Sequence, residues 1–129
     1  MPLIKVDLIK GRKPEEIKQI LDVAHQVVLE AFKVPEGDRY QVVTQHEPYE
    51  MIMEDTGLGF ERTEDVILFT IISTQRTDKM KKEFYRLLTE KLEHHCHIDP
   101  KNVMVSIVTN GAGEWSFGFG NAQFLTGEL

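Results

Sequence analysis

Two short apolar runs decide the fold of this chain: residues 3–9, Leu-Ile-Lys-Val-Asp-Leu-Ile, and residues 66–73, Val-Ile-Leu-Phe-Thr-Ile-Ile-Ser. Runs of this length that are rich in aliphatic and β-branched residues are typical of buried strands. An amphipathic helical pattern follows each run, over residues 14–33 and about 77–95. A strand followed by a helix is therefore predicted twice, in the same order along the chain.

Each predicted helix leads through a turn into a further strand. After the first helix, residues 34–38 predict a turn and residues 40–44 a strand. After the second helix, Asp99-Pro100 and residues 103–108 repeat this pattern. The apolar stripes are Ile17, Ile20, Leu21, Ala24, Val27, Val28 and Ala31 in the first helix and Met80, Phe84, Leu87, Leu88 and Leu92 in the second. The sequence thus predicts two βαβ units.

The two halves align with each other at an offset of 64 residues, which pairs Arg12 with Arg76 and superimposes the apolar stripes. We therefore predict a single domain over residues 1–129, made of pseudo-repeat halves 2–45 and 66–109. The predicted class is α+β: duplicated βαβ units form a four-stranded mixed sheet with two helices on one face. Glycines interleaved with aromatic residues near the end predict a short C-terminal hairpin. A helix-free sheet face, if apolar, needs a cover, which predicts an oligomer.

Composition narrows the class of protein and its partners. The 129 residues carry 15 Lys+Arg against 21 Asp+Glu, a net charge of -6 with a pI near 5.3. A surface this acidic disfavours nucleic acid and anionic membranes as partners. No apolar run approaches the length of a transmembrane helix, and the charged first ten residues do not resemble a signal peptide. The single cysteine, Cys96, cannot form an internal disulfide, so we predict a cytoplasmic location.

Pro2 has chemistry that no internal residue shares. Methionine before a small residue is normally removed after synthesis, so we expect the mature chain to begin at Pro2. Its nitrogen would then be a secondary amine, and α-amino groups have a reference pKa of about 7.7–8.0. Such a group can transfer protons near neutral pH. Because a predicted core strand begins at once, the amine is expected to be held in place.

The predicted topology brings three polar groups to one end of the sheet. Strands of a βαβ unit are parallel, so Pro2, before the first strand, and Asp38, before the second, share an end. If the two units pack antiparallel, the end of the third strand arrives there as well and brings Arg76. The sequence therefore predicts one pocket that holds an amine, a carboxylate and a guanidinium.

Two other clusters of chemically active residues have simpler explanations. The run His94-His95-Cys96-His97 contains metal-ligand types, but four consecutive residues at a helix end point in different directions, and no second ligand cluster accompanies them. Glu54-Asp55 precedes Thr56-Gly57 and predicts a solvated turn rather than an acid–base pair. We therefore expect no metal and no cofactor.

The chain resembles the tautomerase superfamily, and within it the malonate semialdehyde decarboxylase group, over nearly its whole length. The stretches that carry the resemblance are Pro2-Leu3-Ile4, Val34-Pro35, Asp38-Arg39-Tyr40-Gln41, Glu54-Asp55-Thr56-Gly57-Leu58-Gly59, Trp115-Ser116-Phe117-Gly118 and Phe124-Leu125-Thr126-Gly127. The resemblance implies a fold of βαβ units, a catalytic amino-terminal proline and assembly as a homotrimer.

The resemblance also implies roles for individual residues. The catalytic residues would be Pro2, Asp38 and Arg76, and the substrate-binding residues Trp115, Phe117, Phe124 and Gln75. In that group the proline is cationic and works with an aspartate and with two arginines of an Arg-x-Arg segment. Arg76 matches one of these arginines, and Thr74 stands at the position of the other. A pair of arginines orients a carboxylate, so the loss of one predicts weaker binding or a different acid.

The residues and the resemblance together predict an isomerase that catalyses keto–enol tautomerisation of a small oxo-carboxylic acid. Arg76 would bind the carboxylate, and the Pro2 amine would move the proton. Two alternatives remain open. In a malonate semialdehyde decarboxylase or a hydratase of a small unsaturated or oxo acid, the protonated amine would act as an acid beside Asp38. A non-catalytic binding protein could keep the same fold without the chemistry.

Overall fold

Alternating burial along the strands separates a helix-covered face of the sheet from a helix-free face. The computed structural model contains β1 (Leu3–Ile9), α1 (Pro14–Phe32), β2 (Tyr40–His46), β3 (Ile67–Ser73), α2 (Asp78–Cys96), β4 (Val103–Thr109) and the one-turn helix α3 (Gln123–Thr126). In β3, four residues are fully buried and alternate with three that are half-buried. The predicted strands and long helices therefore all form, with boundaries within two residues of those expected.

The four strands form one mixed sheet in the order β2-β1-β3-β4. β1 runs parallel to β2, and β3 runs parallel to β4, as the βαβ pattern requires. The two units meet through β1 and β3, which pair antiparallel with Leu3 opposite Ile72 and Leu8 opposite Ile67. The predicted mixed sheet of two βαβ units is confirmed.

Both long helices pack on the same face of the sheet and bury their apolar stripes against it. The core residues are Ile4, Val6, Leu8, Ile20, Ala24, Val27, Val28, Ala31, Phe32, Ile67, Phe69, Ile71, Phe84, Leu88, Leu92 and Ile98. Phe32 of α1 and Phe84 of α2 stack with ring centroids 4.9 Å apart and an interplanar angle of 17°. This aromatic pair joins the two βαβ units across the helix layer.

The two helices begin and end at equivalent positions of the repeat. Lys13 precedes α1 and Thr77 precedes α2, where the Thr77 hydroxyl accepts a hydrogen bond from the Met80 N–H at 3.1 Å. Each helix ends in a left-handed residue, Lys33 and His97, both with φ 56°. A non-glycine residue in the left-handed conformation costs roughly 1–2 kcal/mol relative to the right-handed one. That both helices end in this costly conformation at equivalent positions supports a common origin of the halves.

The helix-free face of the sheet carries exposed apolar side chains. Val42, Met104 and Val108 are 53%, 38% and 49% exposed. On the same face Asp7 and His46 form a half-buried pair, with His46 Nε2 2.7 Å from the Asp7 carboxylate. No helix of the chain covers these apolar side chains, and their cover by a second subunit stays a prediction.

The predicted C-terminal hairpin is wrong. Residues Ala112–Glu114 form a 3-10 turn, and α3 follows it with no strand between them. Gly118, Phe119 and Gly120 have φ values of 143°, 60° and 69°, which an extended strand cannot accommodate. The Gln123 side chain takes the place of a partner strand: it accepts from the Phe117 N–H and donates to the Gly118 carbonyl, both at 3.0 Å.

No helix in the structure combines the length and the apolar character that crossing a membrane requires.

Replacing Phe84 by alanine should lower the free energy of unfolding by about 3–5 kcal/mol, because the Phe84 ring is fully buried and its removal leaves a cavity against Phe32. The matched control is Phe119→Ala, since that ring is fully exposed and its loss should change stability by less than about 0.5 kcal/mol. Urea denaturation at fixed protein concentration measures both. Equal losses in the two variants would contradict this description of the core.

Candidate active site

The amino terminus lies in an enclosed position at one end of the sheet. Pro2 is buried and directly precedes β1. The register pairs Leu3 with Tyr40 of β2 on one side and with Ile72 of β3 on the other. Because β1 is a central strand, Pro2 is flanked by the residues that precede β2 and by Ser73 at the end of β3.

Asp38 places a nearly buried carboxylate beside the amino terminus. It closes the turn after α1, where its N–H donates to the Pro35 carbonyl at 3.0 Å. The α-amine of Met1 lies 3.8 Å from Asp38 Oδ2, and the other carboxylate oxygen, Oδ1, is buried without a hydrogen-bond partner. Burying an unsatisfied carboxylate oxygen is costly, so this geometry favours a site that receives a further hydrogen-bond donor.

Arg76 extends from the loop after β3 to the same end of the sheet. Its Nε donates to the Ser73 hydroxyl at 3.1 Å, Nη1 donates to the Phe32 carbonyl at 3.4 Å, and its guanidinium carbon lies 5.1 Å from the Phe32 ring centroid. These contacts hold the guanidinium plane. Nη2 has no acceptor within the chain, so it can donate hydrogen bonds to an anion.

Burial and charge act in opposite directions on the amine. Burial lowers the pKa of the Met1 α-amine, the Asp38 carboxylate raises it, and the Arg76 guanidinium lowers it, with a net decrease. Burial likewise lowers the pKa of Arg76, and Asp38 opposes this change. The three groups therefore interact through charge, and the terminal amine loses its proton more readily than an ordinary α-amine.

An aromatic cluster lies beside the start of β2. The Phe117 ring is stacked between Trp115, at 5.4 Å, and Tyr40, at 5.7 Å, and its edge meets Phe124 at 5.5 Å. We call Tyr40, Trp115, Phe117 and Phe124 the aromatic wall. Because Tyr40 is paired with Leu3, the wall stands next to the amino terminus.

The tail after β4 returns across the end of the sheet to build this wall. It leaves the edge strand β4 at Asn110, whose N–H donates to the Ser73 carbonyl at 2.8 Å. The Asn110 side chain accepts a hydrogen bond from Trp115 Nε1, also at 2.8 Å. Neither Asn110 nor Tyr40 is among the site residues that the sequence predicts. Tyr40 lies two residues after Asp38, and this proximity in sequence indicates that it belongs near the site. Asn110 is marked in the sequence only by its position after a predicted strand.

Gln75 and Thr74 occupy the loop that carries Arg76. Gln75 is exposed, and its side chain donates to the Arg76 carbonyl at 3.0 Å rather than to a group of the aromatic wall. Thr74 is half-buried between Ser73 and Gln75. The structure thus brings Pro2, Asp38, Arg76 and the aromatic wall to one end of the sheet and leaves Gln75 at its margin.

The repeat places a second, non-equivalent constellation at the other end of the sheet. Arg12, the counterpart of Arg76, donates through Nη2 to the Asp65 carbonyl at 2.6 Å. Asn102, the counterpart of Asp38, accepts from the Thr63 N–H at 2.9 Å and donates to the Thr63 hydroxyl at 2.8 Å. The chain is continuous through Val66, so this end has no terminal amine. The duplicated scaffold therefore contains the three groups together at one end only.

The other two candidate clusters lie away from this end. Asp55 accepts backbone hydrogen bonds from Gly59, Gly57 and Phe60, which lower the pKa of its carboxyl group, so the Glu54-Asp55 stretch forms a turn as expected. Cys96 ends α2, and burial raises the pKa of its thiol. No group of three or more His, Cys, Asp or Glu side chains is arranged to hold a metal ion.

Comparison with known sequences gives a consistent result for both halves of the chain. Two family models, each described as a tautomerase enzyme, match residues 38–118 and residues 2–61. A probable tautomerase, YrdN of Bacillus subtilis (strain 168), is 53% identical over 129 residues, which is 100% of both chains.

Comparison with solved structures extends this result to the fold. A malonate semialdehyde decarboxylase, whose crystal structures were described as a basis for decarboxylase and hydratase activities, has a TM-score of 0.96 and 51% sequence identity, and the match covers 98% of each chain. A fused 4-OT described as a symmetric trimer has a TM-score of 0.78 at 16% identity, over 97% of this chain and 98% of that one. The match to the fused 4-OT therefore supports a similar fold only.

Proposed function

This chain belongs to the tautomerase family, and from that premise we propose that it catalyses the keto–enol tautomerisation of a small oxo-carboxylic acid. In this proposal Met1 is removed and the Pro2 amine carries the proton between carbon and oxygen. The observation that carries the proposal is the Met1 α-amine, next to buried Pro2, which lies 3.8 Å from the buried Asp38 carboxylate, with the Arg76 guanidinium at the same end of the sheet.

Pro2 is proposed as the general base and acid. Removal of Met1 would leave a secondary amine at the start of β1, one residue from the Met1 amine on which burial, Asp38 and Arg76 act. We propose that burial and Arg76 outweigh Asp38 at Pro2 as they do at the Met1 amine, which would favour the neutral form of the base. The neutral amine would take a proton from the carbon next to the carbonyl and return it to oxygen, or the reverse.

Arg76 is proposed to bind the substrate, and Asp38 to stabilise the amine that carries the transferred proton. The free Nη2 donors of Arg76 suit the substrate carboxylate, and the contacts with Phe32 and Ser73 keep the guanidinium oriented. Asp38 would stabilise the amine after it becomes positively charged. The unpartnered Asp38 Oδ1 would accept a hydrogen bond from the enol hydroxyl. Thr74 supplies no charge, so Arg76 would be the only arginine that binds the substrate carboxylate.

The aromatic wall is proposed to contact the apolar part of the substrate and to exclude water from the proton transfer. Trp115, Phe117 and Phe124 present stacked and edge-on rings toward that end of the sheet. Gln75 would reach the polar end of the substrate only when its hydrogen bond to the Arg76 carbonyl opens. Each step uses groups of the chain itself, so the proposal requires no metal and no cofactor.

A second candidate function is decarboxylation or hydration, which the Asp38 carboxylate favours because it stabilises a protonated amine. The solved structure that is 51% identical to this chain is a malonate semialdehyde decarboxylase. In that reaction the bond between the carboxylate carbon and its neighbour would break, CO2 would leave, and the electron pair would move to a carbonyl oxygen bonded by the protonated Pro2. A non-catalytic binding protein is the remaining alternative.

A homotrimer is proposed as the working assembly of this single domain. The exposed Val42, Met104 and Val108 lie on the sheet face that the helices leave open, and a tautomerase-like fold is described elsewhere as a symmetric trimer. Nucleic acid and membranes are not proposed as partners. The cytoplasmic location stays a prediction that rests on the lone Cys96.

Val42→Lys should convert the trimer to monomer, because it places a charge on the apolar helix-free face. Light scattering after gel filtration should give about three times 14.9 kDa for the wild type and about 14.9 kDa for the variant. Gln26→Lys makes the same charge change on the exposed surface of α1 and should leave the trimer intact. A monomeric wild type would exclude the proposed assembly.

Pro2→Ala should reduce kcat/KM for a phenylpyruvate-type oxo acid by roughly a hundredfold, which is typical of the loss of one general acid–base group. Mass spectrometry of the intact wild type should show a chain without Met1. Pro48→Ala, at an exposed proline, serves as the control and should retain activity. Retention of Met1 would rule out proline catalysis and favour the binding protein, whereas full activity of Pro2→Ala on every oxo acid tested would rule out proline catalysis alone.

The pH profile should separate the two candidate reactions. If neutral Pro2 is the base, kcat/KM rises with pH through the amine pKa. Asp38→Asn removes a charge that raises this pKa, so it should move the rise to lower pH, and Arg76→Gln should move it to higher pH. If kcat/KM instead falls as pH rises through the same pKa, the protonated amine is the active form, as the decarboxylase or hydratase requires.

A further inference from the structure

We propose that Asn110 is a positioning residue that sets the distance between the loop carrying Arg76 and the aromatic wall. The inference rests on the proposed function of this site and adds a residue that neither touches the substrate nor titrates. It is drawn from a chain of short hydrogen bonds that runs from the guanidinium to the indole through Asn110.

The first part of this chain passes through Ser73. The Ser73 hydroxyl accepts from Arg76 Nε at 3.1 Å, and the carbonyl of the same residue accepts from the Asn110 N–H at 2.8 Å. Ser73 is fully buried, so neither bond competes with water. The buried Ser73 therefore bonds to the guanidinium through its hydroxyl and to the first residue of the tail through its carbonyl.

The second part of the chain passes through the Asn110 side chain. Its Oδ1 accepts from Trp115 Nε1 at 2.8 Å, which satisfies the only polar atom of the indole. Trp115 lies nearly parallel to Phe117, with an interplanar angle of 8°, and Phe117 is itself fixed by Gln123. Asn110 thus sets the orientation of the indole, the ring at one end of the stack of Trp115, Phe117 and Tyr40.

These hydrogen bonds connect the two side chains between which the substrate is proposed to lie, so they affect which substrates fit. A substrate whose carboxylate lies on Arg76 and whose body lies against Trp115 must span the distance between these two side chains. Asn110 bonds directly to Trp115 and is linked to Arg76 only through Ser73. Loss of its side chain should therefore weaken substrate binding and leave proton transfer at Pro2 largely unaffected.

The test compares Asn110→Ala with Asn110→Asp. Trp115 is the only tryptophan, so the emission maximum and anisotropy of the protein report the indole directly. Asn110→Ala should shift emission to longer wavelength, lower the anisotropy and raise KM roughly fivefold, as expected for one lost hydrogen bond, with kcat within about twofold. Asn110→Asp keeps an acceptor oxygen and should restore both emission and KM.

The control is Asn121→Ala, which makes the same change in the same tail at an exposed residue that uses only its backbone N–H. Wild-type emission and KM in Asn110→Ala would overturn the proposal, and so would a KM increase that aspartate does not reverse. If the wild type turns over no oxo acid, the proposed function fails. The emission difference between Asn110→Ala and Asn110→Asp would still support the positioning role in that case.

Discussion

The antiparallel pairing of β1 with β3 is the constraint on which the rest of this structure depends. It joins two βαβ units that would otherwise have separate sheets, with Leu3 opposite Ile72. Because the strands run in opposite directions, the start of β1 and the end of β3 meet at one edge. That meeting places the loop of Arg76 beside the amino terminus. A parallel junction would have put these groups at opposite ends of the sheet.

Once this edge exists, the buried carboxylate of Asp38 governs its electrostatics. Asp38 is removed from water beside an amine and within the field of a guanidinium, and one of its oxygens has no partner. Burial and Arg76 lower the amine pKa while Asp38 raises it, so the protonation state of the terminus reflects a balance between opposed effects. The duplicated end, with Asn102 and a continuous chain at Val66, lacks this balance, which explains why two similar halves do not form two similar sites.

Much of the architecture follows from local pattern. The apolar run of residues 66–73 predicts β3, the stripe through Ala24 and Val28 predicts α1, and the 64-residue offset aligns the two helices. The conformation of the tail after β4 does not follow from local pattern. Its conformation depends on three consecutive positive φ values around Phe119 and on the Gln123 side chain bonding to Phe117, and neither has a periodic signal.

The sequence by itself determined the two βαβ units, the buried start of β1 at Pro2 and the residue types available for a proton-transfer site, because burial periodicity and chain order are local properties. Only the tertiary structure decided which of those residues meet. Tyr40, Ser73 and Asn110 join the site through strand register and through hydrogen bonds between distant segments. Such contacts arise from packing in three dimensions, and no spacing along the chain encodes them.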